Sequence, residues 1–184
     1  ADETGSGKAA EHDLTNNGRI ELDANTGRFS GSWDNNSGIS VDTSMVIFTA
    51  TSGTETIDGP ATVAAFYNVT FGETSGTATW DIIDVTLDVN RALQVNQGTL
   101  DRSATAVTVA GLLATGANGF WSGIGTTTFD GAGSVTWADT NPALQDIGYV
   151  VVDGDSKVVV MNSSVRASNI IIGTNDTLNG GGTR

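Results

Sequence analysis

Gly125-Thr126-Thr127-Thr128-Phe129-Asp130-Gly131-Ala132-Gly133 sets the pattern of the whole chain. A run of β-branched and aromatic residues is closed by a corner of Gly, Asp and Ala. Val, Ile, Thr and Phe fit a pleated, half-buried surface, whereas Gly and Asp supply turns. The same alternation extends in both directions. Upstream lie Met45-Val46-Ile47-Phe48, Ala65-Phe66-Tyr67-Asn68-Val69-Thr70-Phe71, Val85-Thr86-Leu87 and Ala106-Val107-Thr108-Val109. Downstream lie Val158-Val159-Val160 and Ile170-Ile171-Ile172. A helix needs apolar residues at i, i+3, i+4 and i+7 over three turns. The best window, Asp81 to Val95, puts Ile82, Ile83, Leu87 and Leu93 on one face, but its Val, Ile, Thr and Asp favour strand. The expectation is an all-β chain.

Composition narrows the class. By length alone the 184 residues make one domain or two small ones, and they suffice to bury a real core. Charged residues are 16% of the chain, below the usual ~25%, and Gly (24) with Thr, Ser and Asn takes their place. Only two prolines occur, so the β-branched clusters indicate a folded protein rather than a disordered one. Eight Lys+Arg against 21 Asp+Glu give a net charge of −13. That field repels phosphate backbones and anionic lipid, so neither nucleic acid nor a membrane surface is an expected partner. The absence of Cys argues against disulfide scaffolds, zinc sites and thiol catalysis. No apolar run approaches the ~20 residues of a membrane helix. The polar opening Ala1-Asp2-Glu3 suits a mature terminus after signal cleavage, and equally a cut within a longer protein.

Residues 1–17 read as a flexible or assembly arm, 18–178 as one β-domain and 179–184 as a Gly-rich terminus. Within the domain, short clusters and irregular Gly/Asn corners favour parallel coils stacked as a β-solenoid, each dependent on its neighbours. Coils of roughly 20 to 25 residues would number some six to eight. The antiparallel β-sandwich or jelly roll is the alternative, and Val150–Val152 with Val158–Val160 around Asp153-Gly154-Asp155-Ser156 would suit a hairpin. A loose similarity also links the stretch after Phe48 to the stretch after Phe129, an offset of roughly 80 residues.

Gln97-Gly98-Thr99-Leu100-Asp101, Ala106-Val107-Thr108-Val109-Ala110-Gly111, Gly119-Phe120-Trp121 and the run 125–133 resemble the repeats of bacterial and archaeal right-handed parallel β-helix surface proteins. Ala65–Phe71 resembles the piece that follows in such repeats. The resemblance covers residues 18 to 178 at the level of pattern, and repeat length here is irregular. It implies a right-handed β-helix of the adhesin, sheath or virion-fibre type.

Few side chains suggest chemistry. The one histidine, His12, lies in the polar arm, so a Ser–His pair is not expected. Asp81, Asp84 and Asp88 are the nearest approach to paired carboxylates of a glycosidase, with Asp84 and Asp88 on one strand face. Asp153 and Asp155 are a Ca²⁺ candidate lacking the later bidentate Glu of an EF-hand. Asn35, Asn68, Asn162 and Asn175 each begin a glycosylation sequon. Trp33, Trp80, Trp121 and Trp137 sit among apolar clusters and are expected mainly in the core.

These readings converge on a non-enzymatic extracellular protein, at a cell or virion surface. It would build or decorate a filament, sheath, envelope or virion through coil ends, with itself or other structural subunits as partners. No cofactor is expected beyond possible Ca²⁺. A glycan-binding adhesin module is the second expectation, and a polysaccharide lyase or hydrolase the third.

Overall fold

The computed structural model describes residues 9–10, 13–37, 39–40, 42–59 and 63–181, with the backbone alone at 9–10, 39–40 and 63–64. His12 lies outside them, as does most of the expected arm. The described residues form nineteen strands and no helix. All strand pairings are parallel, and they build a β-solenoid of about seven turns. The antiparallel sandwich is thereby overturned. So is the hairpin: Tyr149–Val152 pairs with Thr126–Phe129 and Asn169–Ile172, while Val158–Met161 pairs with Ser134–Asp139 and Thr177–Asn179. The two Val runs lie on different faces of the same coil.

The coil is the structural repeat. Partners in adjoining coils are 19 residues apart at Gly27 and Val46 and 25 apart at Thr54 and Thr79. Alternation within each strand decides what faces inward. Val107 and Val109 are buried and Thr108 is not; Val135, Trp137 and Asp139 are buried and Thr136 and Ala138 are not. Inward residues therefore stack in columns. One runs through Gly27, Val46, Val69, Leu93, Leu113, Trp137 and Met161. Another runs through Phe66, Val89, Val109, Phe129, Val152 and Ile172. Phe48 belongs to a third, with Phe29, Phe71, Val95, Thr115 and Asp139. Phe48 and Phe129 thus occupy different faces, and the offset near 80 residues is not a structural repeat.

Corners absorb the variation in coil length. The sixteen-residue strand Thr86–Asp101 turns between faces at register shifts between Val89 and Ala92 and between Val95 and Gln97. At Gly125 a side chain would run into the Thr105 carbonyl of the preceding coil, so glycine is required by the stacking itself. The first coil includes part of the expected arm: Ala9–Ala10 pairs with Thr26–Phe29 and Leu14–Asn16 with Trp33–Asn35.

Candidate functional site

The final coil is where the packing of the described residues stops. Ile170 and Ile172 continue the columns of Val150 and Val152, which are 1% and 0% exposed. Yet Ile170 is 39% and Ile172 47% exposed, because among the described residues nothing stacks on them. Asn169–Ile172 and Thr177–Asn179 each pair on one side only, leaving a row of backbone donors and acceptors at the end of the solenoid.

A lateral groove of about 370 Å³ crosses three coils at the corner after Leu112–Ser122. Trp121, Ser122 and Ile124 come from one coil, Asp146, Gly148 and Tyr149 from the next, and Ser168 from the last. Tyr149 is half exposed and Ile124 is 75% exposed. The Asp146 carboxylate is oriented by the Gly148 amide and the Ser168 hydroxyl, both donating at 2.9 Å. The Trp121 indole is fixed by donating to Thr115 Oγ1 at 3.0 Å. Ser122 Oγ is buried with no hydrogen-bond partner.

Two cations lie fully buried between coils. The Arg102 side chain donates to Thr127 Oγ1 at 2.6 Å and to the Ile147 carbonyl, and packs 5.3 Å from the centre of the Trp121 ring. It therefore ties three successive coils together. Gly148, at φ +77°, leaves room for the guanidinium where a Cβ would stand. Burial lowers the Arg102 pKa to about 10, against an opposing pull from Asp146. Lys157 reaches the other way, Nζ donating to the Ala110 carbonyl at 2.5 Å. Burial pushes its ammonium down while Asp130 and Asp176 push it up. Burial also raises Asp130, reinforced by Asp88 and opposed by Lys157. Sequence reading missed both cations. Their one available signal is a lone basic residue in a corner between apolar runs, a position shared with ordinary solvated turns.

The residues singled out from sequence are scattered. Asp153 and Asp155 are exposed on the turn before Val158–Met161. The Gly154 and Lys157 amides of that turn donate to Asp176 of the following coil, at 3.3 and 2.7 Å. Among the described residues no group of three or more His, Asp or Glu side chains is gathered for a metal ion. Asp81 lies in a strand directly opposite Asp101 in the next coil, and its pKa is raised by burial and then by that neighbour. Asp84 sits in a corner at φ +57°, outside any strand, so it does not share a strand face with Asp88. Asp88 accepts from Thr108 Oγ1 at 2.8 Å.

Of the sequons, Asn35 is buried and accepts from Asn16 Nδ2 at 2.7 Å, and Asn68 donates to the Ser44 carbonyl at 3.1 Å. Asn162 and Asn175 are exposed. Trp33, Trp80 and Trp137 are in the core as expected, and Trp121 is nearly so. No family model matches the chain, and neither a curated protein nor a solved structure does.

Proposed function

We propose that this chain is a non-enzymatic structural module of an extracellular filament, sheath, envelope or virion surface, assembling with further copies of itself end to end. The observation that supports this reading is the final coil, whose inward Ile170 and Ile172 are exposed beside two half-paired strands. At the other end, Leu14–Asn16 and Ile20–Glu21 also pair on one side only among the described residues. The two edges face opposite ways along one axis. A second copy translated along that axis offers a strand parallel to the first, which is the pairing every coil already uses. Such a head-to-tail contact does not close, so it extends into a filament.

Sedimentation and negative-stain imaging of the full chain test this. Polymers are expected, lengthening with salt as the mutual repulsion of chains at −13 is screened. Ile170→Lys with Ile172→Lys should leave a folded monomer. A wild type that stays monomeric at high salt and high concentration would sink the proposal.

A further inference from the structure

We propose that the lateral groove at Trp121, Ile124, Asp146 and Tyr149 is a binding site for a neutral hexopyranosyl unit. The site reaches the last coil through Ser168, yet it does not depend on assembly: a chain that remained monomeric would still present it.

The groove joins two kinds of surface that rarely meet by chance. Its rims, Tyr149 and Ile124, are apolar groups held out to solvent on outward-facing positions of the corner. An aromatic face of this kind packs on the C–H face of a pyranose ring, burying both from water. Between the rims stand groups suited to hydroxyls. The Asp146 carboxylate is held in place by Gly148 at Oδ1 and by Ser168 and the ion pair with Arg166 at Oδ2, and Oδ1 keeps a lone pair to accept from a ligand. Because these groups are already oriented by neighbours on three coils, little ordering is lost on binding. The volume of about 370 Å³ falls at the small end of the ~300–1,000 Å³ usual for small-molecule sites.

Charge selects the class of sugar. Asp146 stands in the groove of a chain at −13. Arg102, packed against Trp121, is sealed off from solvent. The exposed cation beside the groove, Arg166, is already paired with Asp146 (Nε 3.6 Å from Oδ2), so a uronate, sulfate or phosphate would have to compete with that carboxylate for it in a chain that is negative overall. A neutral sugar meets no such barrier.

The test uses the full chain and five probes: the methyl glycosides of glucose, galactose, mannose and N-acetylglucosamine, and sodium glucuronate. Saturable binding is read by saturation-transfer NMR and by tryptophan fluorescence, to which Trp121 is the reporter nearest the groove. At least one neutral glycoside is expected to bind with a Kd near millimolar, and glucuronate more weakly than any that binds. Tyr149→Ala should weaken binding by about tenfold, the worth of one aromatic face. Ile124→Asp, which adds a carboxylate at an exposed position, should weaken it without disturbing the fold seen by circular dichroism. The proposal is overturned by no saturable binding of any neutral glycoside, by unchanged affinity in folded Tyr149→Ala, or by a preference for glucuronate.

Discussion

In the early coils one inward column reads Phe29, Phe48 and Phe71; further along the same column reads Thr115 and Asp139. The early segment is part of a continuous aromatic cluster. Phe29 meets Trp33 edge-on at 4.8 Å, Phe48 stacks on Phe71 at 5.0 Å, and Phe71 meets Trp80 at 5.5 Å. In the late coils the column carries bonded polar groups instead. Asp139 accepts from the amides of Asn141 at 2.8 Å and Gln145 at 2.6 Å, and Asn141 donates to the Gly119 carbonyl at 2.7 Å. The side chains of the buried cations, Arg102 and Lys157, donate to residues from 110 onward. The parallel ladder accepts either filling, because it asks only that each inward side chain match the shape above and below it. The early coils draw their stability from apolar burial. The late coils rely more on directed bonds across several coils.

The largest effect that separates the halves should come from Phe48→Ala. Phe48 is fully buried among four other rings, so its truncation should cost about 3–5 kcal/mol in urea unfolding. Val150→Ala, equally buried in the late coils, should cost less than half as much. A Phe48→Ala loss no larger than that of Val150→Ala would show that the aromatic cluster contributes less than its buried area alone.

Arg102 sharpens the contrast from the other side. Arg102→Ala leaves a cavity and removes a donor from the Ile147 carbonyl, and should cost about 2–4 kcal/mol. Arg102→Met keeps most of the volume and abolishes the desolvation of a charge, so it should lose much less. If Met and Ala were equally destabilising, the guanidinium bonds themselves would be holding the coils together.

The smallest effects concern pH, and they have opposite signs. Glu73 receives Arg28 Nε at 2.9 Å and Nη2 at 2.8 Å, which holds its carboxyl below the usual range. Its stabilisation is present above the unfolded value of 4.5 and is lost as pH falls through the lower folded value. For a half-exposed pair this is at most about 1 kcal/mol. Asp81 is raised instead, so its contribution is fully present below 3.8 and is lost as pH rises through the folded value. Thermal melts should therefore show the wild type more stable than Glu73→Gln near neutral pH and the two converging in acid. Asp81→Asn should match the wild type in acid and slightly exceed it at neutral pH. The reverse pattern would place the dominant repulsion elsewhere.

The all-β class and the stacked coils are written in short clusters such as Val107-Thr108-Val109, where residue type and period agree. Strand direction is not written there. Val150–Val152 and Val158–Val160 satisfy a hairpin locally, and only contacts with the neighbouring coils make both of them parallel rungs. The column of Phe48 was equally hidden, because any coil may offer a Phe at any face. The groove eluded the sequence for a related reason: Ser122, Asp146 and Ser168 are far apart in the chain and meet only because coils of unequal length bring their corners together. Asn162 and Asn175 are exposed whereas Asn35 and Asn68 are held by hydrogen bonds to the adjoining coil, a difference that no sequon encodes.

The half-covered final coil also sets how the protein answers a mechanical load. Under a pull along the solenoid axis, the described coil with the least to hold it is the one carrying Ile170 and Ile172, which among the described residues is stacked on one side only. Each detached coil releases 19 to 25 residues, or about 60–90 Å of slack at ~3.3–3.6 Å per residue. A neighbour seated on that end would remove the weak first step and turn a chain that unravels into one that bears force.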